Sequence, residues 1–421
     1  MAPPSLPPRL VSSVPGTWAH ATMSDRVHSQ ILSRMLADNA EALSSPAFAA
    51  VNASLLSLLD EVQSSSPLLA LAADPHSPDV PLWNSLLAPY LTSTYLTAPW
   101  LLAEFYVYRR VIQSLGYSNP ASPGHLLDPF LAQKSAGLAS SYASADALLG
   151  RLGPLRSDRE LPGLALALFS SLWGNRMDLS IWPADASETE DVFSGVLASS
   201  HANLLSDDSP SLFSDLLSSP SPLRVDLIVD NAGFELITDL AFADYLLSSS
   251  LASSVTFRVK AHPTFVSDAT PADLLSHVEA YAASPLPNCA AAGERWRAHL
   301  SAGRFLVKPD AFWCQPLAMA WEMPPSLRSE MEGGCDLAVV KGDANYRRLL
   351  DDRAWDLVGD RFGDVVSEFP TSVVALRTLK AEIGCGMEQG KVEEARGADP
   401  DDWMVTGKYG VVQYHRKGGG A

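Results

Sequence analysis

With 421 residues, 47% of them hydrophobic, the chain is long enough to bury a large core. Its 48 acids against 30 bases give a formal charge of −18, which repels nucleic acid and anionic membranes alike and leaves a small molecule as the expected partner. Four cysteines, Cys289, Cys314, Cys335 and Cys385, form no C-x-x-C pair, which excludes a zinc knuckle or a disulfide framework and points to a reducing compartment, cytoplasmic or nuclear.

The first ten residues, "MAPPSLPPRL", lack a basic segment followed by an apolar run, so they do not read as a secretory signal; a loose tail is expected. Up to about residue 215 the apolar residues recur at spacings of three and four, as in "DRVHSQILSRMLADNAEAL" and "TAPWLLAEFYVYRRVIQSL", which predicts amphipathic helices. In the second of these, "EFYVYRR" sets Glu104 and Tyr108 four apart beside Arg109 and Arg110, a pattern that reads as a charged helix face. The most apolar window, "LPGLALALFSSLWG", is shorter than the roughly 18 to 20 residues a membrane span needs. Ser-Pro clusters such as "SSSPLL", "NPASPG" and "SDDSPSLFSDLLSSPSPL" read as caps and loops between the helices.

From residue 223 the style changes. Short β-branched runs, each followed by polar residues and then a helical pattern, appear in "VDLIVDN", "SVTFRVKAHPTFVSD", "CDLAVVKGDANY" and "SVVALRTLK". This alternation predicts an α/β protein whose mostly parallel sheet is covered on both faces, with ligands collecting at the carboxyl ends of the strands. The expected division is a helical N-terminal region over 1–215 and an α/β catalytic domain over 216–421.

The four strand ends carry Asp230 and Asn231, then Asp268, then Lys341, Asp343 and Asn345, then Arg377 and Lys380. Two carboxylates and an amide carbonyl are hard oxygen donors suited to magnesium, manganese or a similar divalent ion, which polarises a phosphoryl group and lowers the pKa of an attacking water. Lysine and arginine are donors to phosphate oxygens. Asp230 taken alone is as readily the N-cap of the helix that follows. The nine histidines form no HxH or HExxH pair, and "GCGMEQGK" has too few residues between its last glycines for a P-loop and Val392 in place of the required Ser or Thr, so it reads as a turn.

In this order the strings "DNAGFELITDL", "FVSD", "KGDANYRRL" and "RTLK" resemble the damage-control phosphatase family in its eukaryotic branch with the RTxK motif. The resemblance extends to "DRV" near residue 25, "APWLLAEFYVYRRV", "LWGNRMDLS", "FWCQP" and "WMVTGKYGVVQ", and so covers nearly the whole chain. It implies a three-layer α/β/α sandwich of Rossmann-like style with a helical N-terminal region. It further implies a metal-dependent phosphatase, using manganese, nickel, cobalt or magnesium, that acts on sugar phosphates such as fructose 1-phosphate and fructose 6-phosphate. Carried over, the catalytic and metal-binding residues are Asp230, Asn231 and Asp268. Substrate contacts fall on Glu235, on Lys341, Gly342, Asp343, Ala344 and Asn345, and on Lys380, with Arg377 of the same motif as a further phosphate donor. The resemblance also puts Asn175 and Asp178 on a pocket wall and "EFYVYRR" beside the site. His262, Thr264, Cys314 and Gln315 depart from the family's usual residues, which bears on substrate preference and not on metal binding; His262 is a candidate substrate contact.

Two other readings compete. The same branch is credited with an S-adenosylmethionine-dependent protein-glutamate O-methyltransferase activity, but a methyltransferase nucleotide site follows its first strand with a Gly-rich turn, and here the strand runs into "DNAGFE". A non-catalytic binding scaffold is expected to have lost Asp268 or Lys380, and neither is lost.

Overall fold

The computed structural model describes residues 6–174 and 200–418. Its centre is a seven-stranded sheet: β1 (Leu204–Asp207), β2 (Leu223–Ile228), β3 (Ala252–Lys260), β4 (Phe305–Asp310), β5 (Leu337–Lys341), β6 (Ser372–Thr378) and β7 (Gly410–His415), in the spatial order β1-β7-β6-β5-β2-β3-β4. All neighbours are parallel except β6 and β7, which run antiparallel.

Alternation along the central strands divides the core between two faces. Val225, Leu227 and Val229 of the β2 segment join Leu337, Val339, Val374 and Leu376 in a cluster with the Leu161–Trp173 and Phe234–Ser248 helices. Ile228, Ala338, Val340, Val373 and Ala375 face the other way, into a cluster with Val27, Trp83, Phe105 and Val107 of the N-terminal helices. The result is three layers, as the pattern of the sequence predicts. The helices before residue 116 are one of those layers, and β1 enters the sheet from chain N-terminal to residue 215.

Burial on both sides explains the composition of single elements. All five residues of β5 are buried, so it reads as a continuous apolar run closed by a lysine. The Trp100–Leu115 helix, whose charges predict a solvated face, is buried nearly all round because its ionic side chains find partners inside. Arg109 Nε meets Asp79 Oδ2 at 2.8 Å and Arg110 Nη1 meets Glu61 Oε2 at 2.9 Å.

Two other expectations are corrected. Residues 7–11 are not a loose tail: Ala354 N donates to the Pro8 carbonyl at 2.9 Å, Leu10 N to that of Asp352 at 2.8 Å, and Arg9 Nη2 pairs with Asp351 at 2.8 Å. The segment starting at Asp25 is not a plain α-helix either, since Thr22–Leu32 is a π-helix running into the Ser33–Asp38 α-helix. Three strands, β1, β4 and β7, lie outside the runs that announce the others.

From β2 the chain winds outward to β3 and β4, then returns to the other side of β2 and continues through β5 to β6. The winding reverses between β2 and β5, and the crevice outside their carboxyl ends is where open α/β sheets take ligands.

Candidate active site

Asp230 and Asn231 follow β2 directly, and Asp268 lies in the loop after β3. An antiparallel bridge pairs Asn231 with Asp268, with Ala232 N bonded to the Ser267 carbonyl at 2.7 Å and Ala269 N to that of Asp230 at 2.8 Å. These two loops are thus fixed to each other by main chain before any side chain acts. Asn231 Nδ2 donates to Asp230 Oδ2 at 2.7 Å and to Glu235 Oε2 at 2.8 Å, while its Oδ1 accepts from the Ser267 hydroxyl. Lys260, the last residue of β3, stands 3.2 Å from Asp268 Oδ2, which has no aligned hydrogen bond among the described residues.

The third side of the crevice comes from the turn after β5. Gly342 has φ +82°, and a Cβ there would lie 2.0 Å from Asp230 Oδ2. The glycine of "KGDAN" is therefore required by the approach of a carboxylate to the backbone, not only by the shape of the turn.

A cavity of about 170 Å³ opens above these groups, bordered by Asp230, Asn231, Ser267, Asp268, Asp343, Ala344 and Lys380. Its opposite wall belongs to the N-terminal layer: Trp18, Thr22, Arg26 and Ile31, then Trp100, Glu104 and Tyr108. Thr22, Arg26 and Ile31 are four and five residues apart, the spacing that the wider i→i+5 turn of a π-helix aligns on one side. Glu104 is held by Arg347 Nη1 at 2.6 Å, and Arg347 stacks on Trp100 at 3.6 Å.

Other predicted contacts fall outside the cavity lining. Lys341 is wholly buried and bonded to Ser171 and Asp239. Asn345 ties two strand ends together, donating to the carbonyls of Val229 at 3.0 Å and Lys341 at 2.9 Å. Glu235 lies behind Asn231. Arg377 donates to Asp343 Oδ1 at 2.7 Å and to the carbonyls of Ile383 and Ala381 at 2.6 and 2.8 Å, with Tyr346 stacked 4.4 Å away. Its donors face the loop that carries Lys380, whose own N–H bonds Asp343 at 3.0 Å. Arg377→Met is accordingly expected to cost about 3–5 kcal/mol, because it strips the Ile383 and Ala381 carbonyls of their donor and Asp343 of its charge partner. A urea unfolding midpoint measures it.

His262 and Thr264 bond each other at 3.1 Å, and Cys314 approaches the His262 carbonyl at 3.7 Å; these residues and Gln315 are off the cavity wall. Asn175 and Asp178 lie outside the described residues. Lys260, Ser267, Trp18 and Trp100 are site neighbours that the strand-end pattern does not reveal.

Electrostatics give the crevice its character. Four buried carboxylates, Asp230, Glu235, Asp239 and Asp268, face two buried ammoniums, Lys260 and Lys341. Burial, with the charges of Asp268 and Glu235, holds the Asp230 carboxyl well above the usual carboxylate range. Burial pushes Asp268 up to about 6 against the pull of Lys260, and Asp239 up to about 6 against that of Lys341. Such a set fits a divalent cation in charge and in donor hardness. No group of three or more His, Cys, Asp or Glu arranged for a metal occurs among the described residues. The fit here rests on two carboxylates and an amide, and Asn231 serves through oxygen only with its amide turned over, because its N–H groups now occupy the anionic side.

Residues 22–395 match the sequence model of the Damage-control phosphatase ARMT1-like domain. Damage-control phosphatase ARMT1 of Mus musculus is 35% identical over 386 residues, covering 86% of this chain and 86% of that protein. The protein of the same name from Homo sapiens is 33% identical over 435 residues, covering 95% of this chain and 96% of that one. A crystal structure of a DUF89 family protein from Pyrococcus horikoshii aligns with a TM-score of 0.44 at 16% identity, over 91% of this chain and 97% of the other.

Proposed function

Because the chain belongs to the damage-control phosphatase ARMT1-like family, we propose that it is a divalent-metal-dependent phosphatase of sugar phosphates such as fructose 1-phosphate and fructose 6-phosphate. The observation that carries this reading is the convergence of Asp230, Asn231 and Asp268 at the β2/β5 crevice. Asp230, Asn231 and Asp268 would hold the ion, whether manganese, nickel, cobalt or magnesium. Once bound, it supplies Lewis-acid activation of the phosphoryl group and of water.

The chain's own groups do the rest. The Lys380 ammonium, exposed on the cavity rim and without a hydrogen-bond partner among the described residues, is free to take a phosphate oxygen. Asp343 holds the Lys380 backbone in place. Asp268, beside the Lys260 ammonium, can orient a water for in-line attack and accept its proton. Trp18 and Trp100 supply one wall of the cavity.

The test is phosphate release by the purified protein across phosphorylated sugars with each metal in turn; no release with any of them defeats the reading. Lys380→Gln is expected to raise KM for fructose 1-phosphate by about tenfold and to change kcat less, as fits loss of one charge-assisted bond to a ground-state phosphate. Steady-state kinetics separate the two constants. The alternative methyltransferase activity finds no support at the β2 turn, where Gly233 is the only glycine before the helix begins at Phe234. Four free, buried cysteines are in keeping with a reducing location, cytoplasmic or nuclear. No helix among the described residues is long and apolar enough to cross a membrane.

A further inference from the structure

Below the cavity floor lies a charged chain that no step of the proposed hydrolysis uses. Lys341 Nζ donates to the Ser171 carbonyl and, at 2.9 Å, to the Ser171 hydroxyl; it stands 2.9 Å from Asp239 Oδ1 and 3.6 Å from Glu235 Oε1. The Ser171 hydroxyl donates in turn to Asp239 Oδ1 at 2.6 Å. A lysine has three donors, and three oxygens of Ser171 and Asp239 surround them, so none is left to reach upward to a phosphate. Glu235, the fourth neighbour, passes the arrangement on: its Oε2 accepts from Asn231 Nδ2, which also reaches Asp230.

We propose that Lys341, with Asp239 and Ser171, is a positioning unit and not a phosphate ligand: it fixes Glu235, the carboxylate that backs Asn231 beside Asp230. The inference rests on the metal-phosphatase reading of the crevice above it. Its physical basis is that Glu235 and Asp239 are one helical turn apart on the Phe234–Ser248 helix, both buried, and would repel each other without a cation between them. Ser171, from the Leu161–Trp173 helix, prevents the ammonium from tilting toward the cavity. Groups placed in this way behind candidate ligands typically govern metal affinity by about 10- to 100-fold.

The experiment compares the wild type with Lys341→Met, Asp239→Asn and Ser171→Ala. Calorimetric titration with manganese alone and steady-state kinetics with fructose 1-phosphate give two separate readouts. A positioning unit predicts that all three variants weaken manganese binding, by about tenfold for the two charge changes. It also predicts that kcat falls while KM and inhibition by inorganic phosphate stay within about twofold, and that Lys341→Met combined with Asp239→Asn is little worse than either alone. Tighter manganese binding in Lys341→Met, the outcome of simple charge removal, overturns the proposal. So does a large rise in KM and in the phosphate inhibition constant with manganese affinity unchanged, the outcome for a phosphate ligand. Ser171→Ala removes a hydroxyl and no charge, so it decides the matter if Lys341→Met does not fold. A wild type that binds manganese but hydrolyses no ester defeats the phosphatase reading alone; one that binds no divalent metal defeats both.

Discussion

Asp230→Ala is expected to lower phosphate release by about a thousandfold or more, equivalent to roughly 4 kcal/mol of lost transition-state stabilisation. The same substitution is expected to leave the metal-free protein as stable as before or more so. Asp230 is buried beside Asp268 and Glu235, and burial with their repulsion holds its carboxyl far from its ordinary range, so the folded apo state gains nothing from its charge. A buried carboxyl displaced from its ordinary range within such a cluster points to a binding site. Phosphate release with manganese, together with urea unfolding in the presence of a chelator, measures both halves. A variant that unfolds easily and loses activity only in proportion would assign Asp230 a structural cap role instead.

Gly342→Ala is the second substitution with a large expected effect. At φ +82° and ψ 172° the residue occupies a region that L side chains rarely enter, and its new methyl would lie 2.0 Å from Asp230 Oδ2 and 2.1 Å from Asp230 Cγ. Backbone strain and the displacement of Asp230 together should destabilise the protein on the order of 3 kcal/mol. Because the atom that must move is a candidate ligand, manganese affinity should fall as well, which calorimetry on the folded fraction reports. By contrast Gly303, also at positive φ but with open space around it, should show strain alone when replaced by alanine.

Strand ends were the legible part of this protein. Asp230, Asn231, Asp343 and Lys380 stand out because a run of buried β-branched residues stops abruptly at a polar side chain; Asp268, expected at a strand end, lies eight residues past the end of β3, yet lines the same cavity. Lys341 and Arg377 share that signature but point into the protein, since alternation in a strand covered on both faces gives no sign of which side the last residue takes. Lys260 was hidden for the complementary reason: its partner Asp268 is eight residues on, across a loop whose path only the fold determines. The π-helix escaped because apolar spacings of three, four and five do not separate a tight turn from a wide one over eleven residues. Short β1 and the charged, proline-bearing β4 lack the β-branched run that marks their neighbours.

The cavity wall at Trp18–Ile31 and the cavity floor at Asp230–Lys380 come from opposite parts of the chain. During synthesis the wall therefore emerges long before the floor, and β6 waits for β7 to complete the sheet beside β1. Closing so long a loop is entropically costly and comes late in folding. A growing or clipped chain thus carries acidic residues but no enclosed space in which to use them. The enclosed cavity therefore exists only once both ends of the chain are in place.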